Sequence, residues 1–368
     1  MYERRFRLIP YFLLVLLPVA VRAVCKKYRI TSGHKRLYES HTASLDVFMF
    51  LFFLLLALRG LECGIDTKQY SSLFNRYTAS TLRDLFHEGS HEIGYKLLNK
   101  IIGVTTGNYQ VLLAVTAAMC VCPLWYLYKR ESENQLLTLA LFLTVVPFVM
   151  YFSGIRQAIA ISLGVPAWYA TKNKRIIAFF SVVLFAMLFH TSALVLFVLY
   201  PLYRAKITKK WLWIVIPCMI AVYAFREQIF TFMYVFLWKE YGGITETGAV
   251  NVLILLIMFA IYSYMIPDER YLEDDVIAMR NILLLSVMLQ FFAMLHPLSM
   301  RMNYYFLLFI PVLIPKIANR TSAKYSEVAK LSTVVLTVYF LYYFLSNVVR
   351  DNDDLNVFPY IPFWKNLM

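Results

Sequence analysis

KRESENQLLTLALFLTVVPFVMYFSGIRQAIAISLGVPAWYATKNKR, residues 129–175, is basic at both ends and carries two apolar runs, 134–152 and 158–171, that meet at SGIRQ. A bilayer core about 30 Å thick takes roughly 20 apolar residues per helical crossing, and Lys/Arg clusters gather in cytoplasmic loops. Two crossings with their turn at SGIRQ satisfy both basic ends, which sets Arg156 at the outer face.

The same pattern extends in both directions. Of the 368 residues, 60% are apolar and 17% aromatic, so lipid rather than water must solvate most of the chain. No segment shows the alternation over about ten residues that a membrane barrel requires. The formal charge of +14 is spread as small clusters between apolar runs, which excludes a nucleic-acid-binding domain and marks cytoplasmic loops at 25–36, 129–130, 172–175, 204–210 and 316–324. Spans at 45–61 and 109–128 then leave 62–108 outside as a long segment with amphipathic helices. Between Arg175 and Arg204 both ends are basic and the run is too long for one untilted crossing. A pair of short helices turning outward near FHTS resolves this and puts His190 at or below the outer face.

A crossing at 211–225, a second external segment at 226–248 and a return at 249–266 follow, with the acidic PDERYLEDD loop cytoplasmic because acids weigh little in the charge rule. Crossings near 281–296, 303–318 and 331–347 place His296, Arg301 and the tail after Arg350 outside. The expected fold is all-α: a polytopic helical integral membrane protein of about 11–12 crossings, short and broken ones included, forming a single transmembrane domain over 1–368. MYERRFR argues for an internal start and the cluster after it for an external one. Five cysteines, mostly within predicted helices, give neither a disulfide framework nor a zinc site.

Ionisable groups at membrane depth are functional candidates. Arg59, Arg156, His190 and Arg301 all map near one outer face, and guanidinium groups there suit an anionic, phosphate-bearing ligand. Arg59 alternatively snorkels from a helix end, and His190 alternatively serves as an interhelical hydrogen-bonder. Asp66, with Tyr70 four residues on, is either a general base or a helix cap. HEGSH (87–91) matches a zinc-peptidase pattern, but Gly89 and Ser90 are poor helix formers and no third ligand is evident, so no metal site is expected.

GIDTKQYSSLF, HEIGYKLLNKI, YFSGIRQAIAISL, LFHTSALVLFVLYPLY, RMNYYFLLFIP and the terminal FPYIP together resemble the EpsG family, the Wzy-like polymerases of bacterial exopolysaccharide, capsule and O-antigen. The resemblance implies a GT-C-like polymerase/ligase architecture in the bacterial cytoplasmic membrane and metal-independent glycosyl transfer without a cofactor. The substrates it implies are an undecaprenyl diphosphate-linked oligosaccharide donor and acceptor, and a chain-length regulator and a flippase are the implied partners. On these positions it assigns Arg156, Arg301, Arg59 and Gln157 to the diphosphate, His190 to activation of the acceptor hydroxyl or to a second diphosphate contact, and Asp66 and Glu92 to activation of the hydroxyl or to binding sugars. Tyr70, Tyr95 and Tyr305 are assigned to the sugars. The HEGSH insert before Glu92 departs from the family pattern. A lipid-linked oligosaccharide flippase would need similar cations but also repeated halves, and an O-antigen-type ligase would share the donor chemistry.

Overall fold

The computed structural model describes residues 7–31, 37–87, 89, 91–237, 244–245, 247–352 and 355–367. The MYERRFR arginines at 4 and 5, the 32–36 stretch of the first basic cluster, Glu88 and Ser90 of HEGSH, and Lys239 and Glu240 lie outside the described residues. Among the described residues all regular structure is helical, and the sole extended pairings are isolated bridges at Arg59–Pro362 and Pro267–Thr321.

The chain forms α1 (Ile9–Thr31) and α2 (Leu37–Ala57), then three helices of the 62–108 segment, α3 (Thr67–Ala79), α4 (Leu82–His87) and α5 (Ile93–Thr106). Next come α6 (Tyr109–Glu131), α7 (Gln135–Thr144), α8 (Met150–Ser153), α9 (Ile155–Ser162), α10 (Gly164–Lys172) and α11 (Ile176–Met187). A 3-10 helix (Thr191–Val198) leads into α12 (Leu199–Arg204), followed by α13 (Leu212–Ala224), α14 (Arg226–Leu237) and α15 (Val250–Met265). The last are α16 (Asp274–Ala293), α17 (Pro297–Leu307), α18 (Ile310–Asn319) and α19 (Ser326–Arg350).

Among the described residues, three helices are long and apolar enough to cross a membrane, and five if each bent pair counts as one span, with shorter apolar helices beside them. The protein is a multi-pass helical membrane protein. The run expected as one helix over 134–152 is broken after Thr144 and turns helical again only at Met150, because Pro147 cannot continue the hydrogen-bond ladder. Its partner run begins at Ile155 and breaks at Leu163, where Pro166 has no N–H to give the Ser162 carbonyl. Both breaks are buried inside protein, the condition under which irregular backbone is tolerated at membrane depth. In the 175–204 run, the 3-10 stretch rises about 2.0 Å per residue, so few residues suffice for the return from the His190 turn.

The basic loops meet at one face. Lys316 reaches the buried Glu131 at 2.5 Å, Lys172 reaches Glu131 at 3.3 Å, and Lys172 also pairs with Asp275. Arg280, fully buried, pairs with Glu269 at 2.9 Å, and Arg320 bridges Glu133 and Glu273. The acids of PDERYLEDD and the α6 end therefore serve as counter-ions to the basic clusters.

At the opposite face the segment 355–363 lies across the helix ends. Gly60 N–H donates to the Ile361 carbonyl at 2.7 Å, Phe363 N–H to the Leu58 carbonyl at 3.0 Å, and Tyr360 N–H to the Arg7 carbonyl at 3.0 Å. Tyr11 Oη donates to the Val357 carbonyl at 2.5 Å. Residues 7–11, the loop after α2 and the C-terminal strap thus share one face.

Candidate functional site

Four chain breaks supply the site: the end of the HEGSH loop before α5, Gly154 between α8 and α9, His190 before the 3-10 helix, and His296 before α17. Glu92 is the N-cap residue of α5, with extended backbone and no side-chain cap bond, so its carboxylate is free to point elsewhere. It pairs with Arg156 Nη1 on the first turn of α9, and its second oxygen accepts the Thr191 N–H at 3.2 Å. Both partners are largely covered, Arg156 at 22% and Glu92 at 13% side-chain exposure.

The approach of α5 to the His190 turn depends on Gly94. Its N–H donates to the Leu188 carbonyl at 2.8 Å, and an added Cβ would lie 2.6 Å from that oxygen. The glycine of HEIGY thereby holds Glu92 beside Arg156. Gly64 has a comparable role in the loop before α3: at φ +94° it adopts a left-handed backbone, and a Cβ would meet the Phe152 carbonyl at 2.5 Å. Asp66 follows it. At the N-cap position of α3 its side chain makes no cap bond and instead accepts from Ser153 Oγ at 3.0 Å, so the helix-cap alternative does not describe it.

His190 Nδ1 accepts from the Ser192 N–H at 3.3 Å and faces Ser192 Oγ at 2.6 Å. A backbone N–H can only donate, so the neutral ring carries its proton on Nε2. Burial pushes this imidazole down to about 4; Glu92 opposes the shift and Arg156 and Arg301 reinforce it. The ring is uncharged at neutral pH, with an N–H to offer. His296 repeats the arrangement, Nδ1 accepting the Leu298 N–H at 3.1 Å while the ring stacks on Phe230.

Arg301, on the second turn of α17, is exposed and close enough to His190 to act on it electrostatically. Gln157 Nε2 donates to the Arg301 carbonyl at 2.9 Å, tying α9 to α17. Gln157 Oε1 and Arg156 Nε are buried without a hydrogen-bond partner among the described residues. Such orphaned polar atoms in a buried setting are costly unless something else meets them.

Tyr70 lies against Arg156, with Asp66 and Glu92 nearby; burial raises its phenol and Arg156 opposes that shift. Its ring meets Tyr95 edge-on at 5.6 Å. Tyr95 and Tyr305 are fully buried, and Tyr305 Oη is within 2.9 Å of Ser192 Oγ, so Tyr305 reaches the site through its hydroxyl. For Glu92, burial raises the carboxyl, but Arg156, backbone N–H groups and His190 outweigh it and hold it below its ordinary value.

Arg59 is not brought into this cluster. Its side chain is buried, Nη1 donates to the Leu56 carbonyl at 2.5 Å, and the strap covers it through the Arg59–Pro362 bridge. Snorkelling requires the charged head to reach water, and this one does not. In HEGSH, the described residues Gly89 and His91 are not helical, and His91 Nδ1 is 2.6 Å from Tyr77 Oη. Sequence reasoning missed Ser153, Ser192, the Thr191 N–H and the role of Gly94. Only the glycine in HEIGY, two residues after an ionised N-cap, offered a signal.

Comparisons with curated proteins and with solved structures found no match. The model of the EpsG family, in contrast, matches residues 45–361, a span that holds every site residue described above. The chain belongs to the EpsG family.

Proposed function

We propose that this multi-pass membrane protein is a polysaccharide polymerase of the Wzy type. It takes a glycan from its undecaprenyl diphosphate and transfers it to the non-reducing end of a second lipid-linked repeat unit, at the outer face of the bacterial cytoplasmic membrane. The observation that carries this reading is the convergence of Arg156, Arg301 and the His190 Nε2–H, with unpartnered donor and acceptor atoms on Arg156 and Gln157. Fixed donors aimed where charge develops are the strongest single contribution to such a reaction.

In the proposed step an acceptor hydroxyl oxygen bonds to the anomeric carbon of the donor as the bond from that carbon to the diphosphate oxygen breaks. The diphosphate leaves with the bonding electrons and is met by Arg156 and Arg301, with His190 donating through Nε2–H. The acceptor proton passes to a carboxylate, and Glu92 is our assignment because His190 has its Nδ1 engaged. Paired with Arg156, Glu92 is a weak base. Once the diphosphate draws the guanidinium onto itself, Glu92 loses its counter-ion and its basicity rises, which times proton removal to donor binding. Asp66, held by Ser153, is placed to orient a sugar hydroxyl beside Tyr70.

The Glu131–Lys316–Lys172–Asp275 network at the basic face, buried at Glu131 and Lys316, supports transfer over flipping, since a flippase needs a cavity that opens to both sides. Purified protein supplied with lipid-linked repeat units should give a ladder of lengthened glycans together with free undecaprenyl diphosphate. Substrate that stays at one repeat in the presence of folded protein contradicts the proposal.

A further inference from the structure

A cavity of roughly 450 Å³ opens between α6, α10 and α11 at the basic face, remote from the site above. Its floor is apolar, with Pro123, Val165, Ala178 and Val182, and its lip carries Arg130, Arg175 and Lys172, the last already paired with Glu131 and Asp275. No acidic side chain among the described residues lines it: the nearby Glu131 and Asp275 carboxylates are committed to Lys316 and Lys172.

The Arg130 guanidinium is positioned in advance. Nη1 donates to Tyr126 Oη at 2.8 Å, and the group lies 5.8 Å from the ring centres of both Tyr126 and Tyr169, which themselves pack edge-on at 5.0 Å. This leaves its remaining N–H groups for a ligand, and a planar guanidinium suits a phosphate oxygen pair. Arg175 also lines the cavity, is exposed and makes no ion pair among the described residues. The groove belongs to the ends of α6 and α10 that carry the basic clusters, where phospholipid headgroups of that leaflet lie. Cationic lip, apolar floor and absent acids together fit an amphiphile with an anionic head.

We propose that this groove is a binding site for an anionic phospholipid of the leaflet at the basic face, its phosphate between Arg130 and Arg175 and an acyl chain along Val165 and Val182. Basic pockets between transmembrane helices take anionic headgroups in this way. The site is independent of the glycosyl-transfer reading.

The test uses the full chain purified in detergent and exchanged with phosphatidylglycerol or phosphatidylcholine, with retained lipid counted by native mass spectrometry. Wild-type protein should prefer phosphatidylglycerol by about 10–30-fold, the gain expected from two arginines near a headgroup. The R130Q/R175Q variant should lose that preference. Both side chains are exposed and outside the buried ion network, so the variant should keep its melting temperature. Equal retention of the two lipids by wild type, or an unchanged preference in the variant, overturns the proposal. Displacement of phosphatidylglycerol by millimolar inorganic phosphate also overturns it, since the site would then serve a soluble anion.

Discussion

Glu92→Gln removes one negative charge from the site while preserving shape and a hydrogen-bonding end. Two unit charges in contact near a protein surface attract by about 4 kcal/mol at an effective dielectric of 20, and the cost of covering both groups offsets much of that. With Arg156 and Glu92 both less than a quarter exposed, the substitution leaves a covered guanidinium without its counter-ion and should cost about 1–3 kcal/mol of stability, between the values for exposed and fully buried pairs. As the base, Glu92 should contribute roughly 10²–10⁴-fold to the chemical step, or about 3–5 kcal/mol at 1.36 kcal/mol per decade. The stability loss is too small to mimic the rate loss.

Initial rates of chain extension at saturating donor, alongside melting curves in the same detergent, separate the two effects. The expected outcome is a kcat drop of at least about a hundredfold with donor KM unchanged or lowered, because Arg156 no longer has a resident carboxylate. A folded E92Q protein with kcat within about threefold of wild type refutes the assignment of Glu92 as base.

Five further outcomes follow from the same geometry. The acid limb of kcat/KM should lie below the ordinary Glu92 value of 4.5, while that of kcat, measured with donor bound and Arg156 drawn away, should sit at higher pH. Because the folded-state value is depressed, the stability from this ion pair is fully present above about pH 4.5 and is lost as pH falls further, which acid melting curves check. Gly94→Ala should cost about 1–3 kcal/mol through overpacking on Leu188 and reduce transfer more than melting temperature, by moving Glu92 off Arg156. His190→Asn keeps an N-cap acceptor but lacks the Nε2–H, so it should lower kcat by about a hundredfold with little change in melting temperature. Lys316→Met leaves buried Glu131 with Lys172 and the Tyr169 hydroxyl and should destabilise by about 2–3 kcal/mol without altering donor KM in extension assays.

Much of this arrangement was legible in the chain itself. Loop charge placed Arg156, His190 and Arg301 at one level because it reads helix direction, and direction alone brings the starts of α9, the 3-10 helix and α17 to one side. Pairing was not legible: Glu92 and Arg156 are separated by 64 residues, and nothing periodic connects them. The cover over Arg59 comes from the strap near Pro362, a contact between chain ends that local hydrophobicity does not encode. The acidic PDERYLEDD loop was an exception to the charge rule, yet Asp275, Glu269 and Glu273 answer Lys172, Arg280 and Arg320. Ion pairing turned those charges from topology signals into structural partners. Tyr95 and Tyr305, assigned to the sugars, are fully buried, because tyrosine spacing along a helix does not reveal what packs on its face.

Everything proposed for this site depends on Arg156 meeting the diphosphate of a lipid-linked donor. Wild-type and Arg156→Ala protein, matched for folded amount by gel filtration, can be compared in glycan ladder formation from purified lipid-linked repeat units. The substitution should slow extension by at least about a hundredfold, with monodisperse protein retained. Wild-type chain lengths at wild-type rate from the Arg156→Ala protein would contradict that role.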